Sequence, residues 1–196
     1  MFHHLRTALL GLLVLPLAAQ SPGLSVTGGL VLGNDSLKKA TNNSTGLVLG
    51  ADWGTEVWGT DVAARIGLLG ASLPGTKKNQ LKTSLTLLQA HGDLVLGTGL
   101  SSLTGIVGLS FNAYTMSRTG VESTVPEDVD HHFPVRDVKG LKLGVRLGLN
   151  LAFSKHLSGE LMFQQTELAG KDLMDPQLRQ GGINPSWFEL DLRWHF

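Results

Sequence analysis

The stretch PSWFELDLRWHF, residues 185–196, decides the fold. Phe188, Leu190, Leu192, Trp194 and Phe196 share one parity; Glu189, Asp191, Arg193 and His195 share the other. Successive side chains of a strand point to opposite faces. One face of this strand is therefore wholly apolar and the other carries ionisable groups. A strand so divided lies between two different media.

The same division recurs upstream. Residues 139–153 set Leu141, Leu143, Val145, Leu147, Leu149, Leu151 and Phe153 against Lys142, Gly144, Arg146, Gly148, Asn150 and Ala152. Residues 23–33, 45–53, 58–68, 103–113 and 157–167 alternate likewise, with Trp53 and Trp58 on the apolar parity of their strands. Residues 81–97 are less regular. Leu81, Leu85 and Leu87 share one parity, and Leu88, Ala90, Leu94 and Leu96 the other, so the Leu87-Leu88 doublet predicts a bulge where the register changes. The rival reading, two short strands turning at His91-Gly92-Asp93, would give nine strands. One strand gives eight, whose connections alternate long and short. The long ones are polar stretches at 34–44, 71–80, 115–138 and 169–184, each read as a loop.

Composition sets the medium. Charged residues are 16% of the 196-residue chain, against about 25% in soluble proteins. There are 25 glycines, roughly twice the usual share. Net charge is zero, so no long-range field draws nucleic acid. The absence of cysteine excludes disulfides, thiolate metal sites and a cysteine nucleophile. Residues 1–19 read as a cleaved secretion signal: Arg6, an apolar run shorter than the ~20 residues of a spanning helix, then Leu17-Ala18-Ala19. The expected mature domain is residues 20–196.

Alternation also suits a soluble sandwich or barrel with its apolar face inward. Here the other face is rich in Gly, Ser, Thr and Asn rather than in Lys and Glu, which fits a crowded interior. No charge falls on the apolar face, where a lysine or arginine in lipid would cost about 2–4 kcal/mol. Trp53, Trp58, Phe153, Trp194 and Phe196 fall at strand ends beside short turns, as an interfacial aromatic girdle would. Lipid forbids open edges, because unpaired backbone groups cost several kcal/mol each. The expected fold is therefore all-β: an eight-stranded antiparallel up-and-down transmembrane β-barrel, closed by pairing the first strand with the last.

In its secretion signal, eight amphipathic strands and terminal phenylalanine, the chain resembles the small outer-membrane β-barrels of Gram-negative bacteria, the group that includes the OmpA transmembrane domain, OmpX and OmpW. The resemblance implies residence in the outer membrane, with short periplasmic turns and long external loops. It further implies that Phe188, Leu190, Leu192, Trp194 and Phe196 form the signal read by the barrel-assembly machinery. The expected partners are that machinery and outer-membrane lipid, the expected state is a monomer, and no cofactor is expected.

The inward parity gathers Asp52, Asp61, Arg65, His91, Asp93, Lys142, Arg146, Glu160, Glu189, Asp191, Arg193 and His195. An eight-stranded interior is about filled by its side chains. The residues therefore predict a plug of ion pairs and hydrogen bonds, since an unpaired buried charge is costly. The nearest-neighbour guess pairs Glu160 with Lys142 or Arg146. The competing reading is a narrow charged pore. A conduit for hydrophobic molecules would need an apolar outer lumen, for which Leu87 and Met162 are the candidates, and a gap in the wall. Residues 127–132 (EDVDHH) gather carboxylates and imidazoles, but the spacing matches no metal cage. No Ser/His signature supports a triad. The expected function is non-catalytic: a structural or surface-interaction barrel working through its external loops, with passive transport as the alternative.

Overall fold

The computed structural model describes residues 23–56, 62–78, 81–100, 102–120, 138–166 and 186–196. Eight long strands run in chain order: β1 (Gly23–Gly33), β2 (Thr45–Glu56), β3 (Val62–Leu73), β4 (Leu81–Gly97), β5 (Leu103–Gly120), β6 (Val138–Ala152), β7 (Leu157–Thr166) and β8 (Ser186–His195). Each pairs antiparallel with its chain neighbours, and β1 pairs with β8 from Ser25↔His195 to Gly33↔Trp187. The sheet is thus a closed eight-stranded barrel. A two-residue rung, Lys77–Lys78, adds to the end of β4.

Closure fixes which face is which. The large exposed hydrophobics circle the barrel: Leu30 and Leu32, Leu47 and Leu49, Ile66 and Leu68, Leu109 and Phe111, Leu143 and Val145, Leu190 and Leu192. The other parity points inside, where Arg65, Arg146, Arg193 and Glu160 are almost completely buried. Trp53, Phe153, Trp194 and Phe196 are exposed on the outer face at the short-turn end. Trp58 and Asp61 lie outside the described residues, as do residues 1–19 and the acidic stretch 127–132.

The structure departs from the sequence reading at four places. First, β4 has no bulge. Its pairing runs one-to-one with β3 from Leu85 to Leu96 and with β5 from Leu81 to Gly97, with Leu85 and Leu87 inside and Leu88, Ala90 and Leu94 outside. The apparent conflict arose from assuming a uniformly polar inner face. At the long-loop end that face is apolar: Val31, Val48, Leu69, Leu73, Leu85 and Leu87 pack with Met116 and Trp187.

Second, the polar stretch 34–44 contains a short helix, α1 (Asp35–Thr41). Asn34 caps it, its Oδ1 accepting from Leu37 N at 3.1 Å. Asn42, in the left-handed region at φ 52°, ends it. The helix drops Leu37, 1% exposed, onto the apolar cluster. Asn43 Nδ2 donates to the Pro74 carbonyl (2.6 Å) and Asn42 Nδ2 to Thr76 Oγ1 (2.8 Å), tying α1 to the neighbouring loop.

Third, two of the long-loop segments, 71–80 and 115–138, are shorter than read. Strand β3 continues to Leu73, β5 continues to Gly120 and β6 begins at Val138. Fourth, Met162 does not join Leu87 in the apolar cluster at the long-loop end. It packs with Val95, Ile106 and Ala63 in a second, smaller cluster.

Candidate functional site

The barrel interior is where the ionisable side chains meet. Arg65 of β3 is the hub. Its Nη2 lies 2.6 Å and its Nε 3.2 Å from Asp93 Oδ2, and its Nη1 and Nη2 reach Glu160 Oε2 and Oε1 at 2.7 and 3.1 Å. The second contact is a two-pronged guanidinium–carboxylate bond across the lumen, the strongest form of ion pair. Arg193 extends the network: Nη2 lies 3.3 Å from Glu160 Oε1, and Nη1 bonds Asp52 Oδ2 and Ser25 Oγ. His91 Nε2 sits 2.5 Å from Asp52 Oδ1, and Arg146 Nε sits 3.0 Å from Asp93 Oδ1.

Glu160 thus bridges Arg65 and Arg193. The expected pairing with Lys142 or Arg146 is replaced, and the register says why. Glu160 stands opposite Asn150 on β6 and Asp191 on β8, whereas Arg146 stands opposite Gln164, well along the strand. Lys142 is farther still, opposite Asn112. It lies half-buried on the inner face. Glu189, fully buried, accepts from Gln164 Nε2 (2.6 Å) and Trp187 Nε1 (2.9 Å). Asp191 is buried beside it on the same strand face.

Glycine makes this density possible. Asp52 faces Gly67, Asp93 faces Gly108 and Asp191 faces Gly29 across adjacent strands. A Cβ on any of these glycines would overlap the carboxylate oxygen opposite. His91 then lies on the far side of Gly67, and Arg146 on the far side of Gly108. Small and large residues alternate around the barrel, which fills its taper. Those inward glycines were legible in the sequence as a polar-face pattern, but their carboxylate partners were not.

One serine–histidine pair exists at the turn end: His195 Nε2 is 3.0 Å from Ser158 Oγ. Nucleophilic catalysis needs an accessible hydroxyl and an orienting group on the base. Ser158 is 1% exposed, and among the described residues no carboxylate bonds His195. The residues of the C-terminal pattern, Phe188, Leu190, Leu192, Trp194 and Phe196, are all exposed on the outer face. Phe196 N also bonds the Leu24 carbonyl across the closure seam.

This architecture is that of the small eight-stranded outer-membrane barrels. Among solved structures the chain is similar to Ail, the attachment invasion locus protein of Yersinia pestis. The TM-score is 0.55 at 12% identity, over 89% of this chain and 99% of that one. It is likewise similar to Neisserial surface protein A, with a TM-score of 0.53 at 11% identity over 88% and 96% of the two chains. Identities so low establish the shared fold. No protein-family model matches the chain, and no curated protein matches its sequence.

Proposed function

We propose that the chain is a non-catalytic integral outer-membrane β-barrel protein, with a closed lumen and a structural or surface-interaction role exercised through its long-loop end. The filled interior is the observation that carries the reading. An apolar cluster capped by Leu37, a buried ion-pair network and a second apolar cluster together occupy the lumen. The outer belt of Leu, Val, Ile and Phe suits hydrocarbon, and backbone pairing around the whole circumference suits a medium without water. Outer-membrane location, a monomeric state, and handling by the barrel-assembly machinery through Phe188–Phe196 parity residues belong to the same reading. The buried Ser158–His195 pair supports the absence of catalysis.

The test is single-channel recording of refolded protein shown to be inserted in a planar bilayer. The expected result is no unitary conductance. Reproducible steps would overturn the closed lumen and make passive transport the leading function. One observation favours a second reading, passage of small hydrophobic molecules: the outer lumen under α1 is apolar. That route would also need an opening in the wall, and the described strands pair without interruption around the belt. Uptake of a hydrophobic dye into vesicles by wild type, enhanced by Leu37→Ser, would support it.

A further inference from the structure

The outer belt is uneven at the seam where β8 meets β1. One outward row alternates glycine and leucine on successive strands: Gly159, Leu192, Gly28, Leu49 and Gly70. The next row toward the turn end reads Leu157, Trp194, Val26 and Ala51. Gly159 is roofed by the Phe153 ring. Gly28 is not: an added Cβ there would meet only Leu49 Cδ2 at 3.1 Å and Val48 O at 3.9 Å. Around it the surface sinks into a depression of about 430 Å³ walled by Val26, Leu49, Leu157, Leu192 and Trp194.

The chemistry changes in order toward the turn. Trp194 stacks on His156, with ring centroids 5.7 Å apart and planes 14° from parallel. His156 is held by its Nδ1 bond to the His195 carbonyl (3.1 Å) and is preceded in the same turn by exposed Lys155. An apolar pit, an indole rim and a cationic turn match, in sequence, an acyl chain, an interfacial ester region and a phosphate. In hydrocarbon no hydrophobic force separates this pit from the rest of the belt, so selectivity must come from packing. A chain lying in the pit recovers dispersion contacts that leucine ridges elsewhere do not offer.

We propose that the seam depression binds one glycerophospholipid, its acyl chain over Gly28 and its phosphate at Lys155. The site rests on the reading that the belt lies in a bilayer, and the test separates the two. The mature protein is placed in nanodiscs of palmitoyl-oleoyl phosphatidylglycerol doped with the same lipid bearing a diazirine on an acyl chain, and photolabelled residues are mapped by mass spectrometry. Labelling at Leu49, Leu192 and Trp194 is expected to exceed that at Leu109 and Phe111 on β5 by about fivefold, a packing preference near 1 kcal/mol. Gly28→Leu, whose Cβ would press only on the flexible end of Leu49, is expected to bring seam labelling down to the belt level. Lys155→Glu is expected to lower it in this anionic lipid. Folding of each variant is checked by heat-dependent gel migration, and Gly28→Ala replaces the leucine variant if that one does not fold. Uniform labelling around the belt, or seam labelling unchanged by filling the pit, would overturn the site while leaving the membrane reading intact. Seam residues left unlabelled while the rest of the belt is labelled would overturn the lipid site and assign the seam to a second copy instead. No labelling anywhere on the belt would sink the bilayer reading itself.

Discussion

Replacing Arg65 tests whether the lumen is a closed interior or a wet channel. Arg65→Met keeps much of the side-chain length and removes the charge. It leaves Glu160 with Arg193 Nη2 at 3.3 Å, and Asp93 with Arg146 at 3.0 Å and His91 at 3.8 Å. Both carboxylate side chains are fully buried, and the two-pronged bond to Glu160 is lost. Removing one partner of a buried pair typically costs 3–5 kcal/mol, because a charge is stranded, and the residual arginines place this case near the lower end, about 3 kcal/mol. Glu160→Gln in the same background then removes one of the stranded charges. The double variant is expected to be less destabilised than the two single costs added together, by roughly 1–3 kcal/mol. The assay is reversible urea unfolding from lipid vesicles followed by tryptophan fluorescence, at low and high salt. In a closed lumen the cost of Arg65→Met is nearly independent of salt, since buried pairs are little screened. A cost under about 1 kcal/mol that shrinks further in salt is the behaviour of solvated pairs. That outcome, with additive single variants, would refute the closed interior.

Other expectations follow from the same geometry. Gly67→Ala and Gly108→Ala place a methyl group against Asp52 and Asp93 and should each cost about 1–3 kcal/mol in the same unfolding assay. Gly92→Ala, on the outer face with nothing within 4 Å, serves as the neutral control. Val145→Lys on the belt should destabilise the inserted barrel by about 2–4 kcal/mol, measured against Thr115→Lys near the long-loop end at about 0–1 kcal/mol. Leu37→Ala empties the centre of the apolar cap and should cost about 2–5 kcal/mol if α1 is packed as a core element. A loss of only a few tenths would make the helix a loosely seated lid. Deleting Phe196 should lower the amount of folded barrel in outer-membrane fractions while leaving refolding into detergent unchanged; equal effects on both would assign Phe196 to stability alone.

What could be read from the chain alone was whatever depends on parity. The period of a strand is two and local, so Leu190, Leu192 and Trp194 on one side and Asp191 and Arg193 on the other needed no partner to be sorted. The prohibition on open edges in lipid then demanded that β1 meet β8. An outer face in hydrocarbon accepts one kind of residue, which makes its pattern unambiguous. The inner face obeys no such rule. It accepts leucine as readily as aspartate if the neighbour fits, and for that reason Leu85 and Leu87 read as a register change when they were the floor beneath α1. The Leu37 cap was hidden for a related reason: apart from Ala40, Asn34–Asn42 is polar except at the residue that packs. Which charges meet was beyond the sequence altogether. Arg65 and Glu160 lie on β3 and β7, far apart in the chain and not adjacent in the sheet, and they touch only because closing the barrel brings the two walls within the reach of one arginine. Parity assigned each side chain to a medium; the diameter and stagger of the closed barrel chose its partner.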